Sequence, residues 1–181
     1  MLVSTRRQAV CSPLHGNVDA IRLICFRLDF GAPWHEEHMF TKLEKELNGF
    51  DARLPDELKL NNQNTTAHCQ SKSPTHYFLM HCCLLLSRMM IHREYLPFLP
   101  FTSSKPDGPM DRPIKEALPP GKANFWKDSA RDCFRSTRDL LELISTYHEW
   151  GTLVETPLAG HAIYQVCQVC KRTSYPYFLP L

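Results

Sequence analysis

The chain is short of glycine, with 7 in 181 residues. Little material is left for a phosphate-cradling loop or a dinucleotide fingerprint, and neither pattern occurs, nor does GxSxG. Long alternation at period 2 is missing as well, so nothing argues for a sheet. Long apolar runs are also absent. The best, Tyr77 to Leu86, is interrupted by His81 alone and reaches only about half of the roughly 20 residues a bilayer span needs. Charge of one sign is lacking: the formal net charge is +2 and the pI about 8.1, far from the basic stripe of a nucleic-acid binder. There is no internal repeat and no low-complexity tract. At the start of the chain, Arg6 and Arg7 lead into Gln-Ala-Val-Cys-Ser-Pro rather than an apolar core, which does not read as a secretory leader.

What is present is ordinary for a folded domain. The hydrophobic share is 43% and the charged share 22%, and the length suffices for one core. The stretch Ser73 to Pro97 looks like its centre. Ser73 suits a helix cap and Pro74 the first helical position. The following helix is apolar nearly all round, which predicts burial among other helices. Arg88, His92 and Arg93 sit near its end, where cations suit the helix dipole. Eight cysteines invite a disulfide reading. Cys82, Cys83 and Cys133, however, lie in apolar helical patterns, where a thiol behaves as a small hydrophobe. A reduced, intracellular protein is the expectation. The glycosylation sequon Asn64-Thr65-Thr66 then reads as a coincidence.

Other helices are predicted on both sides. Residues 1 to 16 show no periodicity, and Asn17 to Phe30 reads as a short helix broken at Gly31-Ala-Pro33. Trp34 to Asn48 has Phe40, Leu43 and Leu47 on one face, Glu36 and Glu37 in the first turn, and Gly49 as a stop. Asn61 to Lys72 reads as an exposed loop. Pro97 to Lys122 holds seven prolines and one helical turn at Ile114–Leu118. Asn124 to Trp150 carries a heptad stripe, Trp126, Ala130, Cys133, Thr137, Leu140, Ile144 and Tyr147, flanked by Asp132–Arg135, Arg135–Asp139 and Arg138–Glu142 pairs. Gly151 ends it. Thr156 and Pro157 start a last helix with Ala162, Ile163, Val166, Cys167 and Cys170 as its apolar side. The class is all-α. Residues 1–33 form a poorly defined segment, 34–172 a helical domain and 173–181 an irregular tail.

The chemistry-bearing residues are scattered. Cys167-Gln-Val-Cys170 is one ligand pair where a structural zinc site needs two, so it reads as core. His35 and His38 are spaced i, i+3 and do not make the zinc-protease motif. His81 with Cys82 and Cys83 could suggest a thiol nucleophile, but neighbours on one helix point about 100° apart. No metal, cofactor or catalytic residue is assigned, and the chain is read as no enzyme. An uncharacterised enzyme using Cys and His, or a truncated fragment with no autonomous role, are the alternatives.

The order of features resembles one family. Leu47-Asn-Gly-Phe50-Asp-Ala-Arg-Leu54-Pro55-Asp-Glu-Leu58 is similar to the Leu-x-x-Trp-x-x-x-Leu-Pro-x-x-Leu signature of the fungal-specific transcription factor domain. That domain is the middle homology region of binuclear zinc-cluster regulators. Phe50 stands where tryptophan is usual. The long apolar helix ending in His92-Arg93, and the Thr156-Pro157 start of a final helix, follow in the family's order. The resemblance implies a nuclear regulatory region of a transcription factor of RNA polymerase II genes. Its partners would be transcriptional co-regulators or a small-molecule effector, with no membrane. Phe50, Leu54, Pro55, His92, Arg93, Thr156 and Pro157 are the matching positions. It also implies that DNA is read, and zinc held, by a six-cysteine module that these residues do not contain. On this reading the chain is a piece of the regulatory region. The Pro97–Lys122 loop and the His92-Arg93 helix end are the expected contact surface, and capping of their own helix is the preferred role of His92 and Arg93.

Overall fold

The computed structural model describes residues 31–96, 114–152 and 156–173. The expected helix at Asn17–Phe30, most of the proline-rich loop and the tail from 174 lie outside them. Among the described residues there are five α-helices and no strand, so the fold is all-α. None of these helices is long and apolar enough to cross a membrane. The chain divides into two compact units at Arg53/Leu54. That boundary runs inside the segment 34–172 which the sequence reading treats as one domain.

In the first unit, α1 spans Met39–Arg53 and buries Phe40, Leu43 and Leu47, the face the periodicity predicts. Its limits differ from those expected. His38 Nδ1 accepts from the Phe40 N–H at 3.1 Å and Thr41 Oγ1 donates to the Pro33 carbonyl at 2.7 Å. These bonds hold Trp34 to His38 as turns, so Glu36 and Glu37 precede the helix. Glu37 instead meets Lys42 at 3.1 Å. Gly49 does not stop the helix. A methyl group there would stand 3.2 Å from Arg53 Nη1, so the missing side chain makes room for the arginine one turn on.

The second unit starts with a 3-10 turn at Asp56–Leu58. The segment read as an exposed loop holds α2, Asn62–Cys69. Asn61, in extended backbone, accepts from the Asn64 N–H at 2.8 Å, the bond an N-cap asparagine makes. Thr65 and Cys69 form the buried side of α2.

Then comes α3, Pro74–Arg93, with thirteen of its twenty residues buried. Proline takes the first position as predicted, but the Ser73 hydroxyl makes no capping bond. Ser73 instead donates its N–H to Ser71 Oγ at 3.3 Å. The expected turn at Ile114–Leu118 is not helical. The 3-10 turn lies just beyond it, at Pro120–Lys122. Next are α4, Phe125–Glu149, and α5, Pro157–Thr173. α3 packs chiefly against α4 and also against α5, while α2 touches both α3 and α4.

The heptad reading of α4 holds at Ala130, Cys133, Thr137, Leu140 and Tyr147, which are buried. Tyr147 Oη donates to the Pro74 carbonyl at 2.9 Å, and Cys133 Sγ lies 3.7 Å from the Met89 carbonyl. On the outer face Asp139 draws both Arg135, at 4.0 Å, and Arg138, at 3.1 Å. Arg138 therefore turns to its neighbour rather than to Glu142. Gly151, at φ 64°, ends α4 with the Thr152 N–H returned to the Tyr147 carbonyl at 2.9 Å, a left-handed cap that only glycine adopts without strain.

The last helix is turned from its expected orientation. Ala159, Ala162, Gln165, Val166 and Val169 are buried, while Ile163, Cys167 and Cys170 face solvent. Buried Gln165 in place of Ile163 decides the rotation, because that amide has a partner in α3, described below.

Leu140 is fully buried and Leu141, its neighbour, is 50% exposed. Leu140→Ala is expected to cost about 2–5 kcal/mol of unfolding free energy, read from urea transitions. Leu141→Ala should stay within about 0.5 kcal/mol. Similar losses at both positions would contradict the facing of α4.

Candidate functional site

Three successive carbonyls, two in the 3-10 turn and one on Lys59 just after it, carry the first part of the site. The His68 Nε2 contacts the Glu57 carbonyl at 3.1 Å. The His81 Nε2 contacts that of Leu58 at 2.8 Å. The Tyr77 Oη donates to that of Lys59 at 3.1 Å. A carbonyl can only accept, so both histidines carry their proton on Nε2 in these contacts. The donors also touch one another. His68 stacks on Tyr77 with ring centroids 4.3 Å apart, and His81 meets Tyr77 edge-to-face at 4.4 Å. Asn64 Nδ2 adds bonds to the Asp56 and Lys59 carbonyls at 2.7 and 2.8 Å.

Leu54 and Pro55 open this turn. Leu54 is buried, and Pro55 supplies the extended backbone, φ −54° and ψ 150°, from which the turn starts. Its carbonyl accepts from the Leu58 N–H at 2.8 Å. Phe50 lies in the other unit and is half-buried.

The second part is the C-terminal turn of α3. His92 is buried, and desolvation drives its pKa from the ordinary 6.5 down to about 4. Asp132 opposes that shift and Arg88 adds to it. A neutral imidazole brings no charge to the helix dipole. Arg93 leaves its own helix end and hydrogen-bonds Gln165 Oε1 on α5. Gln165 Nε2 lies 3.3 Å from His161 Nε2, and Arg93 Nη2 is 3.4 Å from Glu94. Arg93 Nε is buried with no hydrogen-bond partner among the described residues. One donor of this guanidinium is thus enclosed at the corner where α3 meets α5.

Thr156 and Pro157 start α5 as expected, with Thr156 Oγ1 accepting from the Ala159 N–H at 3.2 Å. The structure thus joins Arg93 to the middle of α5. His81, bonded to the 3-10 turn from α3, lies three helical turns before His92, about 16 Å along the axis. Sequence reasoning missed His68, Tyr77 and Gln165. His81 carried a signal, being the one polar residue in an apolar run, since a buried polar group needs a partner.

The thiols do not form a reactive centre with His81. Burial raises Cys82 to about 12, helped by Cys83 beside it, and raises Cys83 as well. His81 is directed at the Leu58 carbonyl.

Comparison with known proteins adds one finding. Over 140 residues the chain is 22% identical to the Zn(2)-C6 fungal-type transcription factor FTF1c of Fusarium oxysporum f. sp. lycopersici, covering 77% of this chain. It is similar to a fungal transcription factor. The chain spans 13% of that relative's length. No family model matches the chain, and no solved structure matches it.

Two outcomes follow. The neutral His92 favours folding fully above pH 6.5, and the unfolded chain takes up its proton first as the pH falls toward 4. The loss is on the order of 3 kcal/mol for a shift of this size. Urea midpoints at pH 7 and 5 should fall less for His92→Leu than for the unaltered chain, and equal slopes would refute the assignment. Separately, Gln165→Leu removes the acceptor of Arg93 and should cost about 1–3 kcal/mol. Faster amide exchange should accompany it in α5, and unchanged exchange there would show that the bond does not hold α5.

Proposed function

We propose that this chain is regulatory rather than catalytic: part of the effector region of a fungal transcription factor, acting in the nucleus on RNA polymerase II transcription. The observation that carries this is the similarity to a fungal zinc-cluster transcription factor across 140 residues. The all-helical architecture agrees with the fungal-specific transcription factor domain that the Leu54-Pro55, His92-Arg93 and Thr156-Pro157 positions resemble. The roles of those residues support the same reading. Leu54 and Pro55 shape the turn that receives three side chains, Arg93 ties α3 to α5, and Thr156 caps α5. All are scaffold roles, and the cysteines beside His81 are held as protonated thiols. On this proposal a co-regulator or a small effector meets the chain at the His92-Arg93 end of α3, where Arg93 already ties α3 to α5. Sequence-specific DNA contact belongs, on this reading, to a zinc cluster outside these 181 residues.

The test is a tethered reporter. The whole chain, fused to an unrelated DNA-binding module in a fungal host, should raise or lower reporter output relative to the module alone. Arg93→Ala should weaken that effect while the fusion accumulates to the same level. Output equal to that of the module alone would reject the proposal.

A further inference from the structure

Six cysteines lie among the described residues, and they fall into two groups. Cys69, Cys82 and Cys133 are buried and Cys83 is half-buried, whereas Cys167 and Cys170 are both exposed on α5. Residues three apart on a helix share a face, with Cβ atoms about 5–6 Å apart. That spacing decides what the two thiols can do together. A disulfide needs Cβ atoms about 3.5–4.5 Å apart and sulfurs at about 2.05 Å, so forming one would deform this turn of α5. Two thiolates on one central atom are less demanding. Around zinc, at sulfur bond lengths of about 2.3 Å in tetrahedral geometry, the sulfurs stand about 3.8 Å apart; pyramidal trivalent arsenic draws them somewhat closer, still far short of the roughly 2.05 Å of a disulfide. Zinc would be left half-coordinated, because it takes four ligands and this face supplies two. A centre with two exchangeable positions is satisfied completely.

We infer that Cys167 and Cys170 form a bidentate dithiol site for monosubstituted trivalent arsenicals. The reaction with an arsine oxide is a condensation. Two S–H bonds and the arsenic–oxygen double bond break, two S–As bonds form, and one water leaves carrying both thiol protons and the oxygen. Arsenic stays trivalent and no oxidant is consumed. The surroundings bear on the substituent that arsenic retains. Ile163 and Tyr164 lie four and three residues before Cys167, on the same side of the helix, and are 47% and 58% exposed. An aryl group on the arsenic can lie against them, so an aryl arsenical should be held more tightly than a methyl one.

The experiment uses the full reduced chain and phenylarsine oxide, read by intact mass and peptide mapping. One phenylarsenic group, with the loss of two thiol hydrogens, is expected on the peptide that spans both residues. Cys167→Ser and Cys170→Ser should each abolish that bridge. Both are exposed positions, so both variants should keep the helical circular dichroism of the parent. In the parent chain, adduct formation should leave that signal unchanged too. Methylarsine oxide should be displaced by a competing small dithiol at lower concentration than the phenyl compound. An adduct that maps to other cysteines, that survives in both serine variants, or that forms only with loss of helicity would overturn the inference.

Discussion

A helix that is apolar on nearly every side has to be surrounded, and that requirement on α3 organises the second unit. Thirteen of its residues are buried, and a single stripe of contact could not achieve that. α4 supplies the largest cover, with α5 and α2 adding to it. Complete cover also brings polar groups inside. His81 and Tyr77 would each be costly there without a partner, and the 3-10 turn at Asp56–Leu58 meets the need with a run of carbonyls that its own geometry leaves open. The Leu54-Pro55 pair is thus a means of presenting acceptors to α3. At the other end of the helix the same logic yields Arg93 and Gln165.

Much of this could be read before the structure was seen, and the failures share a cause. The burial of α3, the stripe of α4, and the starts of α3 and α5 at Pro74 and Pro157 all follow from local patterns. They hold because each rests on a run of apolar residues or on proline's fixed geometry. α2 was hidden, since Asn62 to Cys69 has no apolar periodicity. Its helix depends on Asn61 as a cap and on contacts with α3 and α4 that lie far off in sequence. Gly49 misled because glycine is a stop only where the chain leaves the helix, and here the backbone stays helical to Arg53. The rotation of α5 was misjudged because counting apolar residues ranks Ile163 and Cys167 above Gln165. The bond from Arg93 reverses that order, and no reading of α5 alone contains it.

The regulatory reading and the packing support each other physically. A region that transmits a signal to a distant DNA-binding module needs elements joined by specific polar ties as well as by grease. A core held by apolar contact alone slides readily, whereas a bond such as Arg93 to Gln165 is either made or broken. The acceptor run of the 3-10 turn and the tie at the helix end are two such polar ties on α3.

The interior of the second unit is unusually rich in sulfur: Met80, Cys82, Met89, Met90 and Cys133 all lie within it. Sulfur side chains are soft and fill irregular gaps well, which suits a helix gripped from several directions. They are also easily oxidised, and a methionine sulfoxide is too polar for such a place. Exposed Cys167 and Cys170 meet peroxide in the folded molecule, but these buried sulfurs are spared until it opens. Every oxidation there hinders reclosure. Under oxidative stress the population would ratchet toward the unfolded side, ageing the protein by the number of times it has breathed.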